Sequence, residues 1–159
     1  MGINLCKKGI FGVPLDRVSY PLLIEKILDL FCDTFGANML FVKKREAIEH
    51  MGYFLIQYRY LPLGYDIIFI SERDVFCIDI CDDEGAKNSL YRIEKFNAET
   101  KIENVKDAIK KLQSILLENN FAFYITRGGK LYMKRSGKYK RVRALTQLVG
   151  GNIDGAKKL

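Results

Sequence analysis

Three apolar runs follow one another between residues 53 and 80 with almost no chain between them: Tyr53 to Leu61, Tyr65 to Ile70 and Val75 to Ile80. Each is short and rich in β-branched and aromatic residues, and turn-forming residues separate them, a composition that favours strands. Pro62-Leu63-Gly64 turns the chain between the first pair, and Ser71-Glu72-Arg73-Asp74 reads as a hairpin loop between the second. Connections this short join antiparallel neighbours. Met39 to Val42 adds a further strand upstream. The charged stretch Lys43 to Met51, with Ala47 and Ile48 inside it, fits either a short helix or a twisted edge strand.

Two helical patterns flank this block. Ser19-Tyr20-Pro21 supplies an N-cap and a first-turn proline, and Gly36 a stop. Between them Leu23, Ile24, Ile27, Leu28, Phe31 and Phe35 recur at three- and four-residue spacing, the stripe of a helix docked on a core. After a loop from Asp82 to Ser89, Leu90 to Phe96 reads as one more strand. Thr100-Lys101-Ile102-Glu103 then has the form of a capping box. Val105, Ile109, Leu112 and Leu116 form one face of a helix over residues 102–118, and Asn119-Asn120 ends it.

Phe121 to Arg127, Lys130 to Arg135 and Lys138 to Arg143 follow as three short strands, broken by Gly128-Gly129 and Ser136-Gly137, both suited to two-residue hairpins. Ala144 to Val149 is expected to form a last short helix, and residues 150–159 a mobile tail. The order helix, strands, helix, strands defines an α+β fold. A mostly antiparallel sheet carries the N-terminal helix and the second long helix on one face and ends in a three-strand meander. One domain over residues 1–149 is expected. With 159 residues, 48% of them hydrophobic, the chain is long enough to build its core without disulfides or metal.

Cys6, Cys32, Cys77 and Cys81 include no C-x-x-C pair, so zinc-ribbon and dithiol redox spacings are missing and reduced, buried thiols are expected. On one strand, Cys77 and Cys81 would share a face about 13 Å apart, beyond disulfide reach. Met1 to Lys8 has no apolar stretch of signal-peptide length, and Glu25, Lys26, Asp29 and Asp33 interrupt the longest apolar segment. A cytoplasmic protein without membrane association is therefore expected.

The net charge of +7 is unevenly distributed: residues 1–120 carry 16 basic and 18 acidic side chains, and residues 121–159 carry 10 basic and 1 acidic. Arg127, Lys130, Lys134, Arg135, Lys138, Lys140, Arg141 and Arg143 occur with no carboxylate between them, interleaved with Tyr124, Tyr132 and Tyr139. Cations and aromatic rings in this arrangement can neutralise phosphates while the rings stack on bases. They can equally meet an acidic protein partner, or protect an edge against strand addition. Opposite in sign is the stretch from Asp66 to Glu84, where Asp66, Glu72, Asp74, Asp79, Asp82, Asp83 and Glu84 accompany only Arg73.

Catalytic constellations are sparse. His50 is the only histidine, which removes two-histidine zinc sites. There is no calcium-loop pattern, no G-x-S-x-G elbow and no phosphate loop. Glu84-Gly85-Ala86-Lys87 has one residue too many for the acidic-x-Lys pair of a two-metal nuclease. No cofactor is implied, and an activity carried by binding is expected.

The stretch Tyr58-Arg59-Tyr60-Leu61-Pro62-Leu63-Gly64-Tyr65-Asp66-Ile67-Ile68-Phe69, followed by Gly85-Ala86-Lys87-Asn88-Ser89-Leu90-Tyr91-Arg92-Ile93, resembles small α+β immunity proteins of bacterial polymorphic toxin systems. The resemblance spans about residues 53 to 143 and assigns no individual binding residue. It implies a cytoplasmic, non-enzymatic inhibitor that binds one cognate toxin and blocks its active site or an essential movement. Immunity proteins against nucleases are commonly acidic. A basic one implies a toxin of another class, or contact through the acidic strands. Expected contact residues are therefore Arg127, Lys130, Tyr132, Lys134, Arg135, Lys138, Tyr139 and Arg141 on the meander, with Asp66, Glu72 and Asp74 on the acidic strands. Nucleic-acid binding through the meander is the alternative.

Overall fold

Strict alternation of buried and half-buried side chains along Tyr53–Tyr60, with Phe54, Ile56, Tyr58 and Tyr60 inward, gives the sheet a single core face. The computed structural model describes residues 15–143. The expected helix at 144–149, the tail at 150–159 and Cys6 lie outside the described residues. Within them, helix α1 (Leu15–Phe35) leads into strands β1 (Met39–Ala47), β2 (Tyr53–Tyr60), β3 (Tyr65–Glu72), β4 (Val75–Cys81) and β5 (Lys87–Ser89). One helical turn, α2 (Leu90–Ile93), and the long helix α3 (Ile102–Glu118) come next, then β6 (Phe123–Arg127), β7 (Lys130–Arg135) and β8 (Lys138–Arg141). The strands form one eight-stranded sheet in sequence order, every neighbouring pair antiparallel. The α+β class, the antiparallel sheet and the C-terminal meander are as the sequence pattern predicts.

The stripe on α1 buries Tyr20, Ile24, Ile27, Phe31 and Phe35, and that on α3 buries Val105, Ala108, Ile109, Leu112, Ile115 and Leu116. Both meet the inward face of β2, β3 and β4, where Ile67, Phe69, Phe76, Ile78 and Ile80 are buried. An aromatic row crosses this layer: Phe54, Phe69, Phe76 and Phe96 stack in succession at centroid distances of 5.8, 5.2 and 5.3 Å. The two long helices are also tied through the Gln113 amide, which donates to the Thr34 carbonyl at 3.1 Å.

Local geometry departs from the sequence expectation at four places and settles one that was open. Helix α1 begins at Leu15, before Ser19, so Pro21 lies inside it and contributes no N–H to its ladder. Of the two readings open for Lys43 to Met51, the edge strand holds as far as Ala47, continuing β1 past an irregularity between Phe41 and Lys43, and the turn occupies the residues up to Gly52. The β3–β4 hairpin is tighter than four residues. Arg73 and Asp74 alone form its turn, both with positive φ (54° and 61°), the type I′ geometry that matches strand twist. Leu90 to Phe96 is not a strand: Leu90 is fully buried at the start of α2, and Phe96 stacks on Phe76. Finally, Lys101 stands at the N-cap of α3, and the Thr100 hydroxyl pairs instead with the Ser71 hydroxyl at 2.9 Å. The stop at Asn119 is as expected, in the left-handed region with its N–H on the Ile115 carbonyl.

Candidate functional site

Two glycine-bearing turns build the meander. Gly128-Gly129 and Ser136-Gly137 all have positive φ, so both hairpins are two-residue turns of the primed type. The resulting register, Arg127↔Lys130, Ile125↔Tyr132, Phe123↔Lys134, Lys134↔Tyr139 and Tyr132↔Arg141, puts Arg127, Lys130, Tyr132, Lys134, Tyr139 and Arg141 on one face. Arg135, Lys138 and Lys140 point to the other. The run of cations is thus divided between two surfaces. Tyr124 belongs to the second and is buried, while Tyr132 is half-buried and Tyr139 exposed on the first.

The first face carries its own carboxylates. Asp82 closes the loop after β4 by accepting the backbone N–H groups of Glu84 and Ala86, each at 2.9 Å, an Asx-type turn that Gly85 completes with φ of 87°. Its other oxygen accepts from the Lys134 ammonium at 2.7 Å, and Lys134 also pairs with Glu84. Glu84 in turn accepts from the Tyr139 hydroxyl at 3.0 Å and lies 3.4 Å from the Arg127 guanidinium, which sits over the Tyr139 ring at 4.8 Å. The hydrogen bonds that Lys134 donates to Asp82 and Glu84 raise its pKa above the ordinary lysine value. Those from Lys134 and Tyr139 hold Glu84 below the ordinary glutamate value. Asp82 and Lys134 are both shielded, with side chains 5% and 15% exposed, so this pair is screened far less than a rim contact.

The expected acidic contact residues are not gathered in one patch. Asp66 lies opposite Arg59 and accepts from it at 3.1 Å. Six residues further along β3, about 20 Å away, Glu72 stands exposed beside the hairpin turn. Asp74, in that turn, accepts the Tyr20 hydroxyl at 2.7 Å. Asp79 points to the face of the sheet away from the core, where burial raises its pKa and Lys87 and Arg92 oppose the shift. The acidic residues that do reach the meander, Asp82 and Glu84, were not among the expected contact residues. The sequence signal for them was the Asp-x-x-Gly turn at 82–85.

His50 is exposed in the β1–β2 turn, 3.8 Å from Glu49. Among the described residues no group of three or more His, Cys, Asp or Glu side chains is disposed to hold a metal ion. The described cysteines are less buried than expected. Cys32 is exposed, and Cys77 and Cys81 are half-buried on the sheet face away from the core, where burial pushes both thiols up to about 11. Among the described residues no helix is long and apolar enough to cross a membrane. Comparison with protein-family models, with curated proteins and with solved structures found no match.

Proposed function

We propose that the protein is a non-enzymatic inhibitor of the immunity type, acting in the cytoplasm, which neutralises a cognate bacterial toxin by binding it through the meander. The observation that carries this reading is the presence of Asp82 and Glu84 on the same surface as Arg127, Lys130, Lys134 and Arg141. Two of those four cations are already paired. Carboxylates on a phosphate-binding surface repel the ligand, whereas a surface of mixed sign with an exposed tyrosine suits a protein interface, where charge sets specificity and a few aromatic or Arg anchors carry the energy. Tyr139 and Arg141 are the anchors on this reading, and Lys130 a rim charge that affects association rate.

Nucleic-acid binding is the second reading, favoured by Arg135, Lys138 and Lys140 on the opposite face, where none of the three is in an ion pair with a carboxylate among the described residues. Fluorescence anisotropy with single- and double-stranded DNA and RNA at several salt concentrations separates the two. The inhibitor reading expects only weak, sequence-indifferent binding at physiological salt. Submicromolar affinity there would overturn it in favour of the second reading, with a log–log salt slope that falls by nearly one unit for each of Arg135, Lys138 and Lys140 replaced by Ala.

A further inference from the structure

The opposite edge of the sheet carries a second surface. Strand β1 has β2 on one side and, among the described residues, no strand on the other. Natural sheets protect such an edge with charge, proline or a covering element, because its unpaired backbone groups can accept another strand. Here three consecutive apolar side chains stand out at the irregular point of β1: Leu40, Phe41 and Val42, 55%, 49% and 48% exposed. Phe41 is opposite Tyr58 and meets its ring edge-on at 6.0 Å. With Leu28, Cys32, Met39 and a single charged residue, Asp29, these two residues line a mostly apolar cleft of about 380 Å³ between α1 and β1. The Tyr58 hydroxyl is buried there without a hydrogen-bond partner among the described residues. A buried polar atom left in this state is uncommon in a folded protein.

Charge identifies the occupant. Immediately after the apolar triplet come Lys43, Lys44 and Arg45, with Glu46 paired to Lys44 at 3.4 Å. A second copy of the chain would bring like charge against this edge. Residues 1–14 contain Lys7 and Lys8 and no Asp or Glu, and residues 144–159 contain Lys157 and Lys158 against Asp154, so neither end of the chain complements it. We propose that the outer edge of β1 accepts an extended, acidic segment of a protein partner as a ninth strand, with one apolar side chain of that segment in the cleft beside Tyr58. Main-chain pairing supplies affinity in this mode of recognition, and the pocket and the cations supply selectivity. This surface is separate from the meander and does not depend on how the meander is used.

The test is a selection of random displayed dodecapeptides on the full chain, followed by synthesis of the enriched sequences and anisotropy titration. Enrichment of peptides that alternate apolar residues with Asp or Glu is expected, with amide shifts concentrated in Met39–Ala47 on binding. Phe41→Asp should weaken them at least tenfold, and Lys43→Glu with Arg45→Glu should reverse the preference toward basic peptides. These side chains are exposed, so circular dichroism should find both variants folded. Absence of enrichment over the bare support would overturn the proposal, as would binding indifferent to both variants. Sedimentation of the wild type as a dimer that Phe41→Asp dissolves would assign the edge to a second copy. Amide shifts of residues 1–14 on introducing Phe41→Asp would assign it to the chain's own N-terminal segment.

Discussion

Gly52→Ala tests how α1, the β1–β2 turn and the β3–β4 hairpin are locked together. Gly52 has φ of +72°, and an added Cβ would lie 2.2 Å from the Tyr20 hydroxyl oxygen and 2.6 Å from the ring carbon bearing it. Placing an L-residue in the left-handed region costs about 1 kcal/mol. The ring must also retreat, which breaks the 2.7 Å hydrogen bond to Asp74. A hydrogen bond to a carboxylate contributes about 1.5 kcal/mol or more. Together these predict a loss of about 3 kcal/mol, read as a lowered urea midpoint at constant m-value. Tyr20→Phe alone should cost about 1.5 kcal/mol, the hydrogen bond only. Since both changes remove that bond, the double variant should be more stable than the sum of the two losses predicts, by about 1 to 2 kcal/mol. Additivity within about 0.5 kcal/mol, or a Gly52→Ala loss below about 1 kcal/mol, would refute the reasoning.

Leu112 is fully buried between α3 and the sheet, so Leu112→Ala should destabilise by about 2 to 5 kcal/mol in the same urea assay. Because Glu84 is held below the ordinary glutamate pKa, its contribution is present above the unfolded-state value and is lost as pH falls through the lower folded one. Lys134, with its pKa raised, keeps its contribution at all pH values below its unfolded one and loses it only in strong alkali. The contact should therefore persist through neutral and moderately alkaline pH and open in acid and in strong alkali, and the Glu84 carboxyl carbon shift followed by NMR should have its midpoint below that of an unstructured glutamate. Alkylation at pH 7.5, followed peptide by peptide by mass spectrometry, should modify exposed Cys32 well before Cys77 and Cys81, whose thiols are pushed up to about 11.

The legible parts of the fold are those where one face is buried and the other is not. Helix α3 was readable because Val105, Ile109, Leu112 and Leu116 fall at helical spacing, and β2 because every second residue is apolar and inward. The glycine pairs marked the meander turns for the same local reason. Strand β1 was ambiguous beyond Val42 because, as an edge strand exposed from Leu40 to Glu46, it has no alternation to read. Arg73-Asp74 concealed a two-residue turn, since neither is the glycine that positive φ usually selects. Leu90 to Phe96 misled because a short apolar run fits a buried helical turn as well as a strand. The division of the basic run into two faces follows from period-two geometry and could have been read from the sequence. The approach of Asp82 and Glu84 to Lys134 could not, because some fifty residues and a whole helix intervene.

The inhibitor reading is tested most directly by growth. Each protein encoded beside this one should be expressed alone in a bacterial host and then together with it. One neighbour should arrest growth by itself and be neutralised by the wild-type chain through a stoichiometric complex. Tyr139→Ala with Arg141→Glu should abolish the rescue while leaving the chain folded. A set of neighbours containing no toxic product, or a toxic one that this chain neither binds nor neutralises, would contradict the account.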